Sequence, residues 1–175
     1  MKRLMAVALA VAVMSLVPSY ASAQANPLMD SVKAQHNMAK DVLLKTAAKV
    51  PENVWSFKAT PDVRSFAQIV GHVIDTSIGI CGTGSGEKGV PVNAEKTMTT
   101  KADLSKALAD AMAFCDKVIA GMDDKKGMEV TKFFTGPTTR AMVIAFNTTH
   151  NYEHYGNLVT YMRLNKIVPP SSEGK

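Results

Sequence analysis

The chain has 175 residues, 46% of them hydrophobic, with a formal net charge of +5. Only 6% are aromatic and no basic run is present, so nucleic acid fits poorly as a partner. The chain has two cysteines and four histidines, and the positions of these few thiol and imidazole groups carry most of the functional information.

The first residues read as a targeting segment. Met1-Lys2-Arg3 is a short basic start, and Leu4 to Val17 is an apolar run too short to span a bilayer comfortably. Pro18-Ser19-Tyr20 leads to Ala21-Ser22-Ala23, a small-x-small cleavage signal. Residues 1–23 are therefore expected to be a secretory signal peptide, with an uncleaved anchor as the rival reading. No cysteine stands at the cleavage site, which argues against a lipoprotein. Residues 24–175 then form one domain, large enough for a single core. They contain no second long apolar run, so no membrane association is expected after cleavage. The expected destination is the bacterial periplasm.

From about Pro27 to Val50 the residues Met29, Val32, His36, Ala39, Leu43, Thr46 and Val50 recur in steps of three and four, the stripe of an amphipathic helix. Asn26-Pro27 reads as its cap and first residue, and Pro51 ends it. Glu52 to Ala59 is a connector whose Trp55 and Phe57 suit the plugging of a bundle end. Thr60-Pro61-Asp62 predicts the start of a second helix, running to about Ile80 with a stripe of Phe66, Ile69, Val70, Val73, Ser77 and Ile80. His72 lies beside that stripe.

Residues 82–99 are glycine-rich and polar, a long connection between helices. Within them Gly84-Ser85-Gly86-Glu87-Lys88-Gly89 has dinucleotide-binding spacing but lacks the preceding strand and following helix which that motif needs. A third helix begins near Thr100, with Asp103 in a capping position, and carries Leu104, Leu108, Ala111, Cys115, Val118 and Met122 to about Gly121. Residues 123–136 are a second connector, with Phe133 and Phe134 as packing residues. A fourth helix runs from about Pro137 to Asn165 with Val143, Phe146, His150, His154, Leu158 and Tyr161 on its inner face.

Four amphipathic helices and no convincing strand predict an all-α four-helix bundle. The cysteines bear on its topology. An oxidising compartment favours closing Cys81 onto Cys115, against the alternative of two buried thiols. If helices two and three ran antiparallel, the two residues would lie roughly 20 Å apart along the axis, at about 1.5 Å per residue, beyond the reach of a disulfide. A parallel pair brings them to one end and needs a long crossover, which the glycine-rich segment supplies. The disulfide and an up-down-down-up arrangement support each other.

His150 and His154, four apart on one helix, project from one face, a spacing that suits two imidazoles on one metal ion. His72 is the natural third ligand. Three neutral nitrogens leave coordination positions open, the pattern of a catalytic site, and imidazole suits zinc, nickel, copper or iron. The segment also reads His150-x-x-Glu153-His154, the inverted zinc-protease motif. Glu153 lies about 80° to one side of the histidines' mid-direction, within reach of the site as a general base. The bland alternative for Glu153 is a solvated helix-face carboxylate. His36 could be a ligand, a pocket group or a satisfied core histidine. Asn147 and Tyr161 could line a pocket or support the ligands, or simply pack.

These residues together resemble the DinB/YfiT-like family. Pro51 to Pro61 followed by Arg64-Ser65-Phe66 is similar to that family's link into helix two. Val70-Gly71-His72-Val73 resembles its first metal histidine. His150-x-x-x-His154-x-Gly156, with Arg163 further along, resembles its second and third. The cysteines and the Val168-to-Glu173 ending resemble an exported branch. The resemblance implies a four-helix bundle with a three-histidine site for a divalent metal, usually zinc or nickel, and some relatives are metal-dependent thiol transferases. It implies an enzyme, a hydrolase or transferase acting on a small molecule. A non-catalytic periplasmic metal-binding or helical interaction protein is the alternative. Oligomeric state stays open, a homodimer included.

Overall fold

A computed structural model describes residues 25–87, 89–90 and 92–174. The signal-peptide reading falls on residues 1–23, outside the described residues. Four long helices dominate: α1 (Pro27–Lys49), α2 (Phe66–Ser85), α4 (Lys101–Ala120) and α6 (Arg140–Leu164). Short helices α3 (Ala94–Thr97) and α5 (Asp124–Gly127) sit in the connections. Strands β1 (Val130–Phe133) and β2 (Gly136–Thr139) pair antiparallel, with Val130 opposite Thr139.

Helix directions follow from which ends share a core. One cluster joins Leu43 and Ala47, late in α1, and Val50 just after it, with Phe66 and Ile69, early in α2. It also contains Leu104 and Leu108, early in α4, and Leu158 and Met162, late in α6. A second cluster holds the opposite ends: Met29 and Val32, Cys81, Cys115 and Val118, and Ala141 and Ile144. Helices α2 and α4 are therefore parallel to each other and antiparallel to α1 and α6, the expected up-down-down-up bundle. Cys81 and Cys115 are joined as a disulfide with their Cα atoms 5.5 Å apart, inside the second cluster.

Several boundaries differ from the sequence expectation. Thr60-Pro61-Asp62 lies in turns rather than a helix. Helix α2 starts at Phe66 because Ser65 and Gln68 form a reciprocal capping box, with Ser65 Oγ accepting from Gln68 N and Gln68 Oε1 from Ser65 N. The carbonyls of Phe57 and Trp55 accept from Phe66 N and Ala67 N, so the connector itself satisfies the first turn. Trp55 is buried edge-on against Phe66, sealing this end of the bundle.

Helix α2 also runs past Ile80 to Ser85. Its glycines permit close packing instead of ending it: a Cβ on Gly84 would overlap Ile144 Cδ1. Gly86, with φ of 79°, closes the helix in the left-handed region. Asn26 precedes α1 but makes no side-chain cap. Its Oδ1 accepts from Asp124 N, and the Asp124 carboxylate accepts from Leu28 N and Met29 N in its place. The second connector, expected without structure, holds α5 and the hairpin, so α6 begins at Arg140 behind a Thr139 cap rather than at Pro137.

Candidate metal centre

Helices α2 and α6 pack closely, and Ser77 Oγ donates to Asn151 Oδ1 between them. That register brings His72 of α2 against His150 and His154 of α6. One ligand nitrogen from each of the three rings lies within 4.8 Å of the others. The ring centroids of His72 are 5.2 Å from those of His150 and 4.7 Å from those of His154. His150 Nε2 and His154 Nε2 are 3.1 Å apart.

The partners of the opposite ring nitrogens decide which atoms are free. His72 Nδ1 lies 2.9 Å from Glu95 Oε2, and a carboxylate accepts, so this nitrogen carries the proton and Nε2 keeps its lone pair. His150 Nδ1 lies 3.4 Å from Thr76 Oγ1, whose own proton goes to the carbonyl of His72 at 2.6 Å. His150 Nδ1 therefore donates as well, and its Nε2 is a lone pair facing His154 Nε2. Two imidazole nitrogens at 3.1 Å suit a shared cation, and ligand bonds of about 2.0–2.1 Å span that gap. His154 Nδ1 is buried without a hydrogen-bond partner, so nothing else competes for this ring. The three residues fit a metal ion.

Burial favours the neutral forms of His150 and His154, as ligation requires. Burial pushes the His154 pKa down to about 4, helped by the neighbouring His150 and His72. Burial and His72 also lower that of His150. Glu153 opposes both shifts through its charge, from an exposed position on α6 outside the three-histidine group.

The site borders a cleft of about 550 Å³ lined by Ala59, Asp62, Val63, Arg64, Ile69, His154, Asn157 and Tyr161. Tyr161 is nearly buried and its hydroxyl donates to the Arg64 carbonyl at 2.7 Å. On the other side Phe146 stacks on His150, and Phe133 and Phe134 meet Phe146 edge-on. Phe134 is 71% exposed, so it caps this aromatic wall rather than filling a core.

The other candidates lie elsewhere. His36 is buried on α1, with Nε2 3.0 Å from Asp116 Oδ1, and Lys40 donates to the same carboxylate. Its burial, outweighing Asp116, lowers its pKa. Asn147 is fully buried and points Nδ2 at Cys115 Sγ, 3.7 Å away, against the disulfide.

Glu95, Asp75 and Thr76 are contributors that sequence reasoning missed. Glu95 sits on α3 in the crossover and accepts from Arg64 Nε at 2.8 Å as well as from His72. Burial works against its charge, but the hydrogen bonds from Arg64 and His72 outweigh burial and hold its pKa below the usual carboxylate range. Asp75 of α2 accepts from Ala94 N and Glu95 N, pinning α3 to the helix. The only sequence signal was Gly71 beside His72.

A parallel-crossover helical bundle with three convergent histidines defines a candidate metal-binding protein of the four-helix class. The chain belongs to the DinB superfamily, whose sequence pattern it matches over residues 35–158. Among solved structures it is similar to a DinB-like protein from Bacillus cereus ATCC 10987, with a TM-score of 0.71 and 16% identity over 81% of this chain and 95% of that one. It is likewise similar to the DinB-like protein YjoA of Bacillus subtilis, with a TM-score of 0.66 and 16% identity over 83% and 99% of the two chains. A mycothiol-dependent maleylpyruvate isomerase shares the fold at a TM-score of 0.59 and 10% identity, over 77% of this chain and 65% of the isomerase. No curated protein matches the sequence.

Proposed function

We propose that this protein is an exported, divalent-metal-dependent enzyme acting on a small molecule by hydrolysis or group transfer. His72, His150 and His154 hold the ion, zinc first and nickel second. The observation that carries the reading is the pair of Nε2 atoms 3.1 Å apart, with His72 beside them at the edge of an open cleft. A bound divalent cation supplies Lewis acidity, lowering the pKa of a coordinated water or substrate heteroatom. Arg64 and Asn157 offer polar contacts to a substrate in the cleft, while Phe146 with the hairpin phenylalanines shields the opposite side from water. Glu153, exposed beside His154, is assigned the role of proton acceptor.

The export part of the proposal rests on the basic-apolar-small pattern of residues 1–23 and on the disulfide, which belongs to an oxidising compartment such as the periplasm. No helix among the described residues is long and apolar enough to cross a membrane. The thiol dependence named for the structurally similar isomerase is not carried over, because an oxidising space does not keep a small thiol reduced.

A periplasmic metal-binding protein without catalysis is the second reading. It would hold the same ion and use no cleft; the cleft reaching His154 favours the enzyme. The deciding experiment is metal analysis of protein purified without chelating resin, beside a His150→Ala, His154→Ala double variant. About one zinc or nickel per chain in the first and none in the second is expected. Turnover of small esters, amides or phosphoesters that vanishes on chelation and returns with the ion separates the enzyme from the carrier. Absence of metal in both proteins, after reconstitution, refutes both readings.

A further inference from the structure

The crossover between α2 and α4 does more than link two parallel helices. It brings a carboxylate to the back of one metal-ligating ring, and four observations on separate residues fix it there. Glu95 Oε2 is 2.9 Å from His72 Nδ1. Glu95 Oε1 accepts from Arg64 Nε at 2.8 Å, so neither oxygen is left to rotate freely. The Asp75 carboxylate, one turn along α2 from His72, accepts from Ala94 N at 2.8 Å and Glu95 N at 3.0 Å. Gly71, next to His72, has no side chain where one would strike Glu95: a Cβ there would lie 2.6 Å from Glu95 Cα and N. The backbone of residue 95 thus rests directly on the helix that carries the ligand.

We propose that Glu95 is the positioning residue for His72: it holds the ring as the Nδ1–H tautomer, aims Nε2 at the ion, and places a negative charge behind the ring. This rests on the reading of the three histidines as a metal site. In water an unperturbed imidazole can place its proton on either nitrogen, and only the partner of one nitrogen selects the other for ligation. Thr76 gives His150 a neutral and longer contact, at 3.4 Å, and His154 Nδ1 has no partner. Glu95 is therefore the one charged acceptor on the three rings among the described residues. Carboxylates in this role raise the basicity of the ligating nitrogen, and their loss typically weakens metal binding about 10–100-fold.

The test uses the chain with Glu95→Ala and Glu95→Gln. In the metal-free protein, long-range proton–nitrogen correlation of ¹⁵N-labelled histidine should show His72 protonated at Nδ1. Glu95→Ala should shift it toward Nε2–H, while Glu95→Gln, which keeps an acceptor oxygen, should retain Nδ1–H. Competition with a chromophoric chelator should then show Zn²⁺ bound about 10–100-fold more weakly by Glu95→Ala, with a smaller loss for Glu95→Gln. A merely structural glutamate would change melting temperature and leave tautomer and affinity alone. His72 found as Nε2–H in the unsubstituted protein overturns the assignment. So does a Glu95→Ala protein, or a Glu95→Gln protein if the alanine variant does not fold, with wild-type Zn²⁺ affinity. If the tautomer follows Glu95 but no protein binds Zn²⁺, the pairing of Glu95 with His72 stands and the metal reading is what fails.

Discussion

Replacing Gly71 with alanine sets two effects of known size against each other. Alanine is the better helix former, and inside a helix the exchange is worth about 0.8–1 kcal/mol in its favour. At this position, however, the new Cβ would lie 2.6 Å from Glu95 Cα and N and 2.9 Å from Ala94 C. All three are backbone atoms, so no side chain can swing away. Segment α3 would have to lift off α2, stretching the bonds from Ala94 N and Glu95 N to Asp75. Overpacking of this kind costs about 1–3 kcal/mol, and each weakened bond to a charged acceptor adds a share of its roughly 1.5–3 kcal/mol. The net expectation is a loss of about 1–3 kcal/mol. In a chain of this size about 2–4 °C of melting temperature accompanies each kcal/mol, giving a fall of roughly 2–12 °C. Gly79 supplies the control: it is exposed on the same helix, and a Cβ there meets nothing within 4 Å. Gly79→Ala should therefore raise the melting temperature slightly. Thermal denaturation followed by circular dichroism reads both. A Gly71→Ala protein as stable as Gly79→Ala would refute the close apposition of α3 and α2.

Two further perturbations test the frame and the site. Cys81→Ala with Cys115→Ala opens a bridge between residues 34 apart in sequence and should cost about 3–4 kcal/mol in the chain-entropy account; a loss below about 1 kcal/mol in urea denaturation would contradict it. In the metal-free protein, His154 titrates at about 4 when folded against an ordinary 6.5 when unfolded. The unfolded chain thus binds more protons between those values, and stability should be flat above pH 6.5 and fall as pH drops toward about 4. His150 and His36, both lowered, push the same way. A melting temperature unchanged between pH 7 and pH 5 would count against the burial of these neutral rings.

The long helices and the histidine pair were legible because both depend on spacing alone. Residues three and four apart share a helix face whatever else the chain does, so Phe66, Ile69, Val73, His150 and His154 could be placed from their numbers. The start of α2 was not legible in the same way. Thr60-Pro61-Asp62 and Ser65-x-x-Gln68 are both acceptable local starts, and the choice between them is made by the Trp55 and Phe57 carbonyls, which arrive from the packed connector. The hairpin escaped because each strand is only four residues long and the second carries Gly136 and Pro137, so no alternating pattern marks it. Glu95 escaped for a different reason. A glutamate in a polar crossover reads as solvated, and nothing at its own position reveals a partner 23 residues away.

Topology connects that last case to the rest of the fold. Because α2 and α4 are parallel, the chain leaving Ser85 must travel back along α2 before α4 can begin. Its path can be followed in contacts: Gly89 lies against Ile78, then Ala94 and Glu95 against Gly71, with Asp75 holding their N–H groups. An antiparallel pair joined by a tight turn would have no returning segment, and the outer nitrogen of His72 would face solvent. The arrangement that lets Cys81 reach Cys115 at one end therefore also delivers a carboxylate to His72 near the other. In this bundle the crossover is a structural part of the candidate site, and the α2 glycines 71 and 84, with Gly86 at the end of that helix, are where backbone and side chains approach too closely, or turn too sharply, for a larger residue.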